Sequence, residues 1–104
     1  MATTRYSIQM NYSNAIKRAE QLENIAKELD TMAKNKLDST LQSISASWKS
    51  ESANRYLKKG HTLEDRITQT AKELRNTAKT IRNTATRIRN ADLYALELAE
   101  KREG

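Results

Sequence analysis

Residues 67–94 repeat with a period of seven, as ITQTAKE, LRNTAKT, IRNTATR and IRNADLY. Ile67, Leu74, Ile81 and Ile88 share one position of the unit, and Ala71, Ala78 and Ala85 share another. An apolar repeat of seven lines its side chains along one stripe of an α-helix, whereas a strand needs a period of two. The chain has 104 residues and no proline, so no helix-breaking ring interrupts either half. The earlier half uses the same grammar. Tyr12, Ala15, Ala19, Leu22, Ala26, Leu29 and Ala33 advance in alternating steps of three and four, and Ile16, Ile25 and Met32 widen the stripe. The pattern predicts an all-α protein.

Two places disturb the pattern. Lys36 falls where a leucine is due, and the stripe resumes at Leu37, Leu41 and Ile44. Such a stutter unwinds a supercoil locally. The hydroxyls of Ser43, Ser45 and Ser47 then compete with helix through their own hydrogen bonds. Trp48, the only tryptophan, follows at the chain's midpoint. The expected organisation is one helical-hairpin domain: a first helix over about 10–43, a turn over about 44–50 and a second helix over about 51–101. Residues 1 to about 9 read as extended or loose, Asn11 or Ser13 as a cap of the first helix, and Ser50 as the N-cap of the second. Gly60 sits inside the second helix, where it marks a bend or a close approach. The tail from Glu100 to Gly104 reads as frayed.

Only 37% of the residues are hydrophobic and 5% aromatic, with no phenylalanine. A chain so composed cannot bury a large core by itself. Alanine at every second core position lets antiparallel helices approach at the low end of the usual spacing, but each alanine buries little area. A lone hairpin is therefore marginal. The expected assembly is an antiparallel helix-turn-helix hairpin that dimerises into an elongated four-helix bundle, with a core of Ala19, Leu22, Ala26, Leu29, Ala33, Ile67, Ala71, Leu74, Ala78, Ile81, Ala85 and Ile88. The partner is a second copy or a paralogous hairpin.

Chemistry-bearing residues are sparse. There is no cysteine and one histidine, His61, with Glu64 and Asp65 within a turn. That set reads as a surface histidine, with no metal, cofactor or catalytic site. No serine stands beside a base and no glycine-rich loop is present, so the chain reads as non-enzymatic. The net charge is +6. Arg75, Arg82 and Arg89 recur every seven residues beside Lys72 and Lys79. This ladder fits phosphates along a duplex, the solvated flank of a coiled coil, or pairing with acids on a partner helix such as Glu23 and Asp30. The absence of interleaved aromatics or a basic arm makes nucleic-acid binding the weaker reading. The opening residues lack an apolar signal region, and no stretch is long enough to cross a membrane.

The segment Ile44-Ser45-Ala46-Ser47-Trp48-Lys49-Ser50-Glu51-Ser52-Ala53, followed by Tyr56-Leu57, resembles the centre of the Trp-X-Gly hundred-residue family. These are the ESAT-like substrates of type VII secretion. The opening Met10-Asn11-Tyr12-Ser13-Asn14-Ala15-Ile16 is similar to Gram-positive members, and the likeness covers nearly the whole chain. The resemblance implies a four-helix dimer that is cytoplasmic before export and is secreted without a cleaved signal peptide. It implies a secretion ATPase as partner, and a role as effector, adaptor or partner of a larger toxin. The family's export signal is composite: the Trp turn of one protomer lies near a Tyr-x-x-x-Asp/Glu motif on the other. Here Trp48, Lys49 and Ser50 form the turn motif, with serine in the glycine position. Tyr94 is followed by Glu97 at three residues and Leu98 at four, so the strict C-terminal motif is missing. Export on its own looser signal and export on a partner's signal both stay open. The alternative is a coiled-coil accessory of a toxin that is not itself exported.

Overall fold

The computed structural model describes residues 4–103. It contains three α-helices and no strand among the described residues: α1, Arg5–Thr31; α2, Asp38–Ser47; and α3, Glu51–Glu103. A π-helical stretch, Met32–Leu37, joins α1 to α2 without a break in helical backbone. The chain is an antiparallel helical hairpin whose two arms are the α1–π–α2 run and α3.

The first helix starts well before the expected residue 10. Thr4 and Ser7 form a reciprocal cap: the Ser7 N–H donates to Thr4 Oγ1 at 3.0 Å, and the Thr4 N–H donates to Ser7 Oγ at 3.0 Å. This is the capping-box arrangement, with serine where glutamate is usual. The extended reading of residues 4–9 is thereby corrected, and the reading of residues 1–3 lies outside the described residues. Asn11 and Ser13 are helix-interior positions, not caps. The earlier start carries Ile8 onto the apolar stripe one turn before Tyr12, and Ile8 is only 1% exposed.

The stutter appears as the π-helix. From Ala33 the apolar positions are one residue later than the three-four alternation demands. A π turn inserts one residue into an α-helix, because its hydrogen bond spans five residues instead of four. The Asp38 N–H accordingly donates to the Ala33 carbonyl. The insertion returns Leu37 and Leu41 to the seam. Leu41 is 4% exposed.

The first arm runs to Ser47, past the expected end at residue 43. Its hydroxyls do not break the helix. Ser47 Oγ donates to the Ser43 carbonyl four residues back at 2.8 Å, a bond that a helix interior accommodates. The reversal occupies only Trp48, Lys49 and Ser50. Trp48 takes an extended conformation, φ −127° and ψ 105°. Ser50 Oγ accepts the Ala53 N–H at 3.1 Å and so caps α3. At its other end α3 continues through the expected frayed tail to Glu103, while Gly104 lies outside the described residues.

Two compact units make up the chain. In Glu23–Arg75, Asp30 pairs with Arg75, and Leu41, nearer the turn, sits against Gly60. The other unit joins the residues up to Leu22 with those from Asn76 onward. There Arg5 pairs with Glu100 at 3.4 Å, and the Arg89 guanidinium lies 4.3 Å from the centre of the Tyr12 ring. Within each unit the partners run in opposite directions along the two arms.

In both units alanine forms the seam. Ala19, Ala26, Ala53, Ala71 and Ala78 are fully buried, and Ala33 and Ala85 nearly so. Leu22, Leu29, Ile67, Leu74 and Ile81 are only half-buried. Ile88, read as a core residue, is 54% exposed. A straight α-helix drifts by about 20° per heptad against a strict repeat of seven. By the last repeat the drift leaves Ile88 partly open, although it still lines a hollow with Tyr12 and Ala15 of the first arm, beside Arg89.

Gly60 serves a side chain. A Cβ built there would lie 2.3 Å from Leu41 Cδ2 and 3.2 Å from Leu41 Cγ. Alanine favours helix by about 1 kcal/mol over glycine, but overpacking a fitted site costs about 1–3 kcal/mol. Gly60→Ala is expected to lower stability by roughly 1 kcal/mol in urea unfolding, from the difference of those terms. In a Leu41→Ala background the same substitution becomes stabilising. Equal effects in the two backgrounds would show that Leu41 is not what demands the glycine. The cap gives a second expectation. Ser50→Ala costs about 1 kcal/mol, while Ser50→Gly costs only a fraction of that and leaves the helical content unchanged. A large loss with glycine, read from thermal unfolding followed by circular dichroism, would assign Ser50 a role beyond capping.

Candidate functional site

The turn places its aromatic residues on the outside. With Trp48 extended at the end of α2, its indole reaches over the first turns of α3 and meets the Tyr56 ring at 6.2 Å between centroids, tilted by 49°. Tilted aromatic pairs at this separation attract through their quadrupoles. Neither ring is enclosed: Trp48 is 45% exposed and Tyr56 64%. Below them Ser45, Trp48, Lys49, Ser50, Asn54 and Leu57 line a shallow groove of about 250 Å³. Lys49 and Ser50 are exposed. Glu51, the first residue of α3, sits favourably at the positive end of the helix dipole and pairs loosely with Arg55 at 3.6 Å. The turn thus offers two aromatic faces and one lysine, a surface suited to recognition.

Ser50 in place of glycine imposes no strain. No described residue has a positive φ. A glycine at this position would therefore use none of its special conformational freedom, and serine adds a cap.

Tyr94 and Glu97 lie in the last turns of α3, both exposed, Tyr94 at 63%. A spacing of three puts them side by side on one face of the helix. Leu98, in the place of the motif's acid, is 40% exposed.

The arginine ladder makes contacts within the chain. Arg75 pairs with Asp30 across the hairpin, Arg89 stacks on Tyr12, and Arg82 is half-buried and engaged. Pairing with an acid of the other arm describes Arg75, while Arg89 meets an aromatic ring of that arm. Lys72 and Lys79 remain exposed.

His61 is exposed, as expected of a surface histidine, and its Nδ1 lies 3.1 Å from Glu64 Oε1. Asp38, from the opposite arm, brings a second carboxylate to this pair. Nothing in the linear order of residues hints at this, because the distance from residue 38 to residue 61 closes only once the hairpin and its π turn are in place.

No helix among the described residues is long and apolar enough to cross a membrane. Among known proteins, no curated sequence and no solved structure matches this chain. A family model described as "Proteins of 100 residues with WXG" matches residues 7–93. That match spans most of the chain and centres on the turn at Trp48, and it places the protein in the WXG100 family, whose members are generally type VII secretion substrates.

Proposed function

We propose that this protein is a non-enzymatic type VII secretion substrate, or the secretion partner of one, and that it works as a dimer with a second copy or a paralogous hairpin. The observation that carries the reading is the half-exposed Trp48, held against Tyr56 at the hairpin turn. A large aromatic left partly in water at a defined turn suits a surface that another protein completes. On this reading Trp48, Lys49 and Ser50 supply one half of the export signal. Tyr94 and Glu97 of the partner subunit supply a looser form of the other half, and a secretion ATPase reads the two together. The protein is then cytoplasmic before export and leaves without a cleaved signal peptide. Association with a larger toxin fits the same surface.

Dimerisation is supported by where the large side chains lie. Alanine fills the seam inside the hairpin, while Ile25, Met32, Leu63 and Ile88 are 40–54% exposed. WXG100 proteins typically form dimers. Covering two leucine-sized side chains contributes about 3–6 kcal/mol, a gain that a single hairpin forgoes. A coiled-coil accessory that is never exported would share this packing but would have no use for the exposed indole. Nucleic-acid binding is disfavoured, because three rungs of the arginine ladder are engaged within the chain.

Trp48→Ala tests the role of the turn. The half-exposed ring implies a stability loss of only about 1–2 kcal/mol, below the 3–5 kcal/mol of a fully buried tryptophan. The variant is expected to remain helical by circular dichroism while its secretion stops. Normal export of a folded variant would remove Trp48 from the export signal. For the assembly, sedimentation equilibrium should return twice the 11.9 kDa chain mass, or the isolated chain should be poorly helical until its partner is added. A stable, fully helical monomer at micromolar concentration would contradict the dimer.

A further inference from the structure

We propose that Asp38, His61 and Glu64 bind a divalent transition-metal ion of the zinc class, which fastens α2 to α3 beside the π turn. One ligand atom from each of the three residues lies within 4.8 Å of the other two. Ligands at 2.0–2.2 Å around tetrahedral zinc lie about 3.4 Å apart, so modest side-chain rotation closes the triangle. His61 and Glu64 are one turn apart on α3 and already meet at 3.1 Å. Asp38 comes from the other arm.

Three features of the backbone and its neighbours converge on this geometry. The π turn ends at Leu37, and Asp38 is the next residue. Successive residues of an α-helix are about 100° apart, so without the extra residue of the π turn Asp38 would be rotated away from α3. Gly60, next to His61, lets Leu41 pack into the space of a missing Cβ and holds the two arms close. Gln42 Nε2 donates to Asp38 Oδ2 at 2.9 Å. That bond orients the carboxylate and leaves its other oxygen for the ion, as outer partners of metal ligands commonly do.

The donor set selects the ion. One imidazole nitrogen with two carboxylate oxygens suits zinc and its neighbours, whereas magnesium and calcium prefer oxygen alone. The Glu64 side chain is only 18% exposed, and its charge is less hydrated than that of a free carboxylate. His61 at 59% exposure keeps the site open to water, which provides the fourth ligand. The site lies within a single unit of the chain and does not depend on the export reading.

The test is titration of the full-length protein with ZnCl2, and with MgCl2 in parallel. His61 is the only histidine, so its imidazole NMR signals report the site without ambiguity. Saturating zinc is expected to shift those signals at one ion per chain and to raise the thermal midpoint by about 5 °C or more, while magnesium does neither. Asp38→Asn, His61→Gln and Glu64→Gln should each weaken zinc binding at least roughly tenfold, with metal-free circular dichroism unchanged. Unmoved His61 signals, or wild-type affinity in Asp38→Asn, would overturn the site. Zinc that only joins chains into larger species, with His61 unaffected, would overturn it equally.

Discussion

The structure depends on how closely alanine lets the two arms approach. A leucine seam separates helices by the length of its side chains, while an alanine seam brings the backbones near the lower limit for packed helices. Here the buried residues of the seam are alanines almost throughout, and the leucines and isoleucines flank it half in water. Burial of methyl groups contributes little per residue, so the hairpin gains from close backbone contact more than from apolar area. The flanking residues remain available to a second hairpin. This division of labour makes the incomplete core intelligible: the chain carries apolar surface on two sides of each helix but closes only one of them.

Close approach also tightens the tolerance on register. A seam of small residues has no long side chains to bridge a rotational error, so a stripe that falls one residue late has to be rephased. The π turn at Met32–Leu37 does this, and Leu41 then arrives where Gly60 can receive it. Glycine in the middle of a long helix would otherwise be a local loss. The π turn, the buried leucine and the glycine are one device in which each part accounts for the others.

Much of this was legible in the sequence, because a period of seven without proline leaves few alternatives. The stripe located the alanine seam, and the late step after Ala33 located the irregularity, although not its π form. The capping box at Thr4 and Ser7 is hard to read in the sequence because serine stands in for glutamate, and the place of Ile8 depends on it. The end of the first arm is ambiguous in the sequence, since a serine hydroxyl that competes with helix in a loop also bonds back within a helix, as Ser47 does. Ile88 lies at the edge of the seam, partly open, because a strict repeat of seven rotates slowly on a straight helix. The contacts of Gly60, and the meeting of Asp38 with His61, depend on which residues of the opposite arm lie across from them. A period alone does not supply that register.

The same constraint determines what the tryptophan can be. A bulky aromatic at a helix–helix turn can plug the end of a core, but only where the helices leave a gap wide enough for an indole. Ala53, three residues into α3, is fully buried, so the alanine seam persists to the start of that helix and leaves no such gap. Trp48 has to lie over the outside of α3, where Tyr56 supports one part of the ring and solvent meets the rest. The turn does not need glycine, because its backbone stays in ordinary regions and Ser50 caps the helix that follows. The residue type that marks the family is thus displayed at the surface by the packing of the hairpin. The tight seam that leaves the large apolar side chains on its flanks is also what turns the indole toward solvent.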